Sequence, residues 1–143
     1  MTIDDVHDAI LVSNILDLKG AGCLAHVPPE KVLEICNGIG PEWFPSCLCA
    51  ALDKLHPSLK VVSMIHDMEY YFGDGSAEYF YRANMNFKWN GYAVANWNYK
   101  WYDPRRYLAR DSAVRFYSLC QRYGWSAYVR AMKDREGNEG KNV

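Results

Sequence analysis

A histidine and an aspartate stand side by side at His66-Asp67. They lie inside the apolar run Val61-Val62-Ser63-Met64-Ile65-His66-Asp67-Met68-Glu69-Tyr70-Tyr71-Phe72, which Gly73-Asp74-Gly75 ends. Adjacent residues on a helix point about 100° apart, so the pair faces two directions and suits two tasks. Neutral imidazole is the usual general base near neutral pH. A carboxylate suits a hard cation such as Ca²⁺. Tyr70 follows His66 by four residues and shares its face, whereas Glu69 points away from Asp67 and reads as solvated. Taken alone, the run more readily describes a surface His-Asp pair on an ordinary core helix. Upstream, Cys36-Asn37-Gly38-Ile39-Gly40-Pro41 holds two glycines, an Asn and a Pro, so it reads as a tight loop with exposed carbonyls. A helix C-cap followed by a turn explains Asn37-Gly38 but explains Gly40 less well. Downstream, Arg82-Ala83-Asn84-x-x-Phe87 places a polar Asn84 in an apolar stripe. A buried amide without a partner costs about 1–3 kcal/mol, so Asn84 calls for one.

The elements that must position these groups are helical. Asp4 or Asp5 caps a first helix carrying Val6, Ile10, Leu11, Ile15 and Leu18. Pro28-Pro29-Glu30 opens a short second one through Ile35. Glu42 to Leu55 forms a third, with Pro45 in its first turn. His56-Pro57 breaks the chain, and Ser58 caps the His66 helix. Ala77 to about Asn90 forms the next, Gly91 interrupts, and Tyr92 to Trp101 resumes. Asp103 caps a last helix, Arg105 to about Lys133, weakened at Gly124. Residues 134–143 are polar and read as a disordered tail. The expectation is one all-α domain over residues 1–133. Two antiparallel helices carry His66-Asp67 and a facing Asn84, a glycine-rich loop precedes them, and further helices flank them.

The chain has 143 residues, enough for one domain with a true core. Its net charge is −1, which argues against a nucleic-acid-backbone binder. No apolar run reaches the ~20 residues of a spanning helix. The acidic N-terminus lacks the basic region of a secretory signal, so synthesis in the cytoplasm without classical export is expected. Five cysteines, an odd count with Cys47 and Cys49 too close to bridge, read as thiols. His7, His26 and His56 read as incidental. Trp43-Phe44 and Trp97-Asn98-Tyr99-Lys100-Trp101-Tyr102 read either as core or as surfaces that meet lipid or protein.

The order of loop, His66-Asp67-x-x-Tyr70 helix and Asn84 helix resembles the phospholipase A2 superfamily over about residues 36 to 90. It is closest to the short forms of phage, prophage and parvovirus proteins, which lack the disulfides of the secreted enzymes. The resemblance implies a Ca²⁺ site made by the carbonyls of Gly38, Ile39 and Gly40 with the carboxylate of Asp67. It implies His66 as the base that activates water, Tyr70 as a supporting hydroxyl, and Asn84 in the position that orients the imidazole. The family has a carboxylate at that last position. The resemblance therefore implies either Ca²⁺-dependent hydrolysis of phospholipid acyl esters at a membrane surface, or a weak or inactive frame kept as a binding or structural module. Such a module would have a protein partner in a virion or other assembly.

Overall fold

The computed structural model describes residues 1–38 and 45–141. Among them the chain is all-helical, without strands: α1 (Ile3–Leu16), α2 (Gly22–Ala25), α3 (Pro29–Gly38), α4 (Ser46–Asp53), α5 (Lys60–Tyr71), α6 (Ala77–Asn98), α7 (Pro104–Tyr123) and α8 (Trp125–Lys141). A 3₁₀ turn, Pro57–Leu59, leads into α5. No helix among the described residues is long and apolar enough to cross a membrane. No disulfide joins any of the five cysteines.

α5 is the central element. Eight of its twelve residues are buried, so it is covered on nearly every side, as a helix apolar around most of its circumference must be. α1, α2, α3, α6 and α8 all pack against it. Along α5 and α6, Tyr70 meets Phe80 and His66 meets Phe87, so sequence order reverses and the two are antiparallel neighbours. The same reversal relates α6 to α7, where Phe87 meets Phe116 and Asn96 accepts from Arg106.

Three of the boundaries that differ from the sequence reading have a physical reason in the packing. Gly91 does not interrupt α6, which runs unbroken through it. The glycine is there because α7 crosses closely: a Cβ on Gly91 would stand 2.5 Å from the Cβ of Ala113. The single long C-terminal helix is instead two, divided at Gly124, whose N–H closes α7 on the Cys120 carbonyl at 2.8 Å. Any side chain on Gly124 would strike that carbonyl and the Tyr70 hydroxyl. The polar stretch after Lys133 continues α8 to Lys141. Arg135 anchors it by donating to the Gly73 carbonyl at 3.0 Å and pairing with Glu139 at 3.8 Å.

The caps differ too. Thr2, not Asp4 or Asp5, caps α1, and Asp5 completes a capping box by accepting from the Thr2 backbone N–H. His56 is not incidental: its Nδ1 accepts from the Ser58 backbone N–H and so starts the turn before α5.

Close approach makes a prediction at Gly91. Gly→Ala within a helix ordinarily stabilises by up to about 1 kcal/mol. At Gly91 the added methyl must push two packed helices apart, so Gly91→Ala is expected to destabilise by about 1–3 kcal/mol. At Gly137, where nothing lies within 4 Å, the same change is expected to stabilise. Guanidinium unfolding midpoints of the two variants should move in opposite directions.

Candidate active site

His66 and Asn84 meet at the α5–α6 interface. His66 is 2% exposed and Asn84 is fully buried. The His66 Nε2 lies 2.8 Å from Asn84 Oδ1, and the Tyr70 hydroxyl donates to the same oxygen at 2.6 Å. The Asn84 Nδ2 donates to Gln121 Oε1 at 2.8 Å. In this arrangement imidazole Nε2–H is the donor, which leaves Nδ1 with the lone pair. The Tyr70 ring lies 4.1 Å from the imidazole between centroids, and Phe87 and Phe116 stand edge-on to it. Burial in this aromatic box pushes the His66 pKa down to about 4, against which the Asn84 bond acts weakly. The imidazole is therefore neutral at any pH above that.

Asp67, one residue on, points elsewhere and is partly buried. Burial pushes its carboxyl up to about 8, and among the described residues it has no cationic partner. Burial also raises the thiols of Cys36 and Cys120, and the nearby Asp67 carboxylate adds to both. Cys36 Sγ lies 3.8 Å from the Met64 carbonyl, which packs the last turn of α3 against α5. A helix C-terminus carries unpaired carbonyls and a partial negative charge, which suit a hard cation where a carboxylate also reaches it. Gly38 is the last residue of α3 and is exposed, rather than lying within a loop. Ile39 and Gly40, and Trp43-Phe44, lie outside the described residues. No group of three or more His, Cys, Asp or Glu side chains that would hold a metal occurs among the described residues.

Glu69, which the sequence reading leaves solvated, is instead 6% exposed, accepting from Asn86 Nδ2 at 3.0 Å through Oε2. Its Oε1 has no hydrogen-bond partner among the described residues, and burial pushes its carboxyl up to about 8. Its face of α5 meets α6 rather than water, which a mostly apolar run with one acid does not foretell.

Between α4 and α7 opens a cavity of about 650 Å³, lined largely by apolar groups including Ala51, Leu55, Leu108, Phe116 and Leu119. Phe116 forms part of its wall and also abuts the His66 ring, so the cavity and the imidazole share one side chain.

Gln121 is the participant that sequence alone does not single out, since it sits on a helix 37 residues downstream of Asn84. Its effect follows from hydrogen-bond directionality. If the Gln121 and Asn84 amides both flip, Asn84 Nδ2 donates to His66 Nε2 and the lone pair moves off Nδ1. Gln121 therefore helps to choose the tautomer. Gln121→Glu can only accept while ionised, so it should hold Asn84 as it stands. Gln121→Leu removes that partner and is expected to destabilise by about 1–2 kcal/mol. Nitrogen-15 chemical shifts of the imidazole should report Nε2–H in the wild type and in Gln121→Glu, and a tautomer mixture in Gln121→Leu.

Compared with protein-family models, curated proteins and solved structures, the chain matches none of them.

Proposed function

We propose that this protein is a phospholipase A2-like hydrolase of phospholipid acyl esters, dependent on Ca²⁺, in which His66 activates the attacking water. The observation that carries this reading is the shared acceptor. Asn84 Oδ1 takes hydrogen bonds from both His66 and Tyr70, which orients a neutral imidazole and leaves the lone pair on its Nδ1. This is the relation that the resemblance calls for between residues 18 and 14 positions apart in the chain. General-base attack by water needs no covalent intermediate. Asp67, with carbonyls of Gly38, Ile39 and Gly40, would hold the ion. When bound it would supply Lewis-acid stabilisation of charge developing on the ester oxygen. The cavity beside Phe116 offers an acyl chain a largely apolar wall, with Asp53, Lys54, Asp111 and Arg115 also among its lining residues.

A second reading has its own observation. Asn84 stands where the family has a carboxylate, and a base whose pKa lies near 4 is a weak one. On this reading the frame is a binding or structural module, with a protein partner in a virion or similar assembly.

Calorimetry with Ca²⁺ on the wild type and Asp67→Asn tests the metal site. Binding by the wild type that vanishes in Asp67→Asn is expected. Absence of wild-type binding at millimolar Ca²⁺ would remove the hydrolase reading and leave the module.

A further inference from the structure

The connection between α6 and α7 carries a concentration of aromatic and cationic side chains that the His66 centre does not use. Trp101 is 73% exposed and Tyr102 is 61% exposed, with Trp97 and Tyr107 more than half exposed beside them in sequence. Residues 96–110 hold four cations, Lys100, Arg105, Arg106 and Arg110, against one acid, Asp103, in a chain whose net charge is −1. Asp103 is already engaged, accepting from the Arg105 backbone and pairing with its guanidinium at 2.7 Å. Three of the four cations lie against rings: Lys100 over Tyr102, Arg105 over Tyr99, and Arg110 over Tyr92 and Tyr107. Tyr107 braces the turn by donating to the Trp101 carbonyl at 2.7 Å. The rings are thus held out in water on a short connection between two long antiparallel helices, rather than folded into the core.

We propose that this α6–α7 tip docks onto an anionic phospholipid surface. Trp and Tyr rings favour the zone between headgroups and acyl chains, and Lys and Arg gain from anionic headgroups. A single-stranded nucleic acid would need a cationic groove lined by rings, and the tip is the end of a helical hairpin rather than a groove. Docking here is separate from the chemistry at His66. Asn84 and the end of α6 at Asn98 are fourteen residues apart on one helix, which places the tip about 20 Å from the imidazole's partner.

The test is co-sedimentation of the full chain with vesicles of ether-linked lipids. One set is zwitterionic phosphatidylcholine and the other contains phosphatidylglycerol. Ether-linked lipids have no acyl ester to cleave, so the result is independent of whether the protein hydrolyses phospholipid. Binding to the anionic vesicles, weakened by salt, is expected. Lys100→Ala/Arg105→Ala should weaken it by about tenfold or more, since each cation near such a surface counts for about fivefold. Trp101→Ala/Tyr102→Ala should weaken it comparably, and unchanged far-ultraviolet circular dichroism shows that both variants fold. No adsorption at low salt, adsorption unchanged in both double variants, or tighter binding to a single-stranded RNA oligonucleotide than to the vesicles would overturn the proposal.

Discussion

Asn84→Asp is expected to raise the rate of phospholipid hydrolysis by about 10²-fold, and His66→Ala to bring it to background. The analogous Asp→Asn change beside the histidine of a Ser-His-Asp triad costs about 10⁴ in kcat. The reverse change here should recover part of such a factor. The carboxylate is isosteric with the amide it replaces. One oxygen would take the bonds from His66 and Tyr70, and Gln121 would turn its amide to donate to the other. A charge in contact with the ring favours the imidazolium and lifts the His66 pKa from about 4 towards the neutral range, where a general base works best. Recovery stays below the full factor because the new carboxylate is fully buried, and desolvation opposes its ionisation. Initial rates of fatty-acid release in the presence of Ca²⁺ give the comparison, with His66→Ala/Asn84→Asp as the control that must stay inactive. Equal turnover in wild type, His66→Ala and Asn84→Asp would refute His66 as the base. An NMR titration of His66 separates geometry from catalysis: its pKa should rise in Asn84→Asp whether or not either protein turns over lipid.

The helical class was legible because the apolar residues recur at helical spacing and no segment alternates. The meeting of His66 with Asn84 was legible for a narrower reason. Gly73-Asp74-Gly75 joins two amphipathic segments closely enough to force them antiparallel, and a polar residue within the apolar stripe of each then has one natural partner. The place of Tyr70 on the His66 face followed from its four-residue spacing, and its support of Asn84 was what the resemblance implied. What was not legible depends on long-range packing. Gly91 has the chemistry of a helix breaker, and only the approach of Ala113 from α7 explains it within a helix. Gln121 lies on a third helix whose rotation nothing local fixes. Glu69 has the composition of a surface residue, and the approach of α6 buries it against Asn86. Residues 134–141 read as a tail because their helix depends on one distant anchor, Arg135 on Gly73.

In the absence of Ca²⁺ the protein is expected to lose stability as pH rises from about 5 to 8. Three titrating groups within four residues of α5 set this slope. Folding raises Asp67 from 3.8 and Glu69 from 4.5, each to about 8, and lowers His66 from 6.5 to about 4, all chiefly through burial. Stability rises with pH only where the unfolded chain holds more protons than the folded one. Between about 4.5 and 6.5 the folded chain keeps two carboxyl protons while the unfolded chain keeps one, on histidine. Stability therefore falls by up to about 1.4 kcal/mol per pH unit. Between 6.5 and 8 the unfolded histidine has lost its proton too, the difference becomes two, and the fall steepens to as much as about 2.7 kcal/mol per pH unit. Above 8 these groups contribute no further slope. The sign is opposite to that of ordinary salt-bridged carboxylates, whose folded pKa values are depressed and whose contribution is lost in acid. Urea unfolding at pH 5.5, 6.5 and 8 measures the effect, and Glu69→Gln should remove one proton's worth of slope. A stability that instead climbs from pH 6 to 8 would mean that these carboxyls are ionised in the folded chain. Ca²⁺ provides the cross-check, because a bound cation requires Asp67 ionised and displaces its proton. Added Ca²⁺ should therefore restore more stability at pH 8 than at pH 6 and release a proton on binding at the lower pH. Asp67→Asn should abolish both responses while leaving the Glu69 contribution in place.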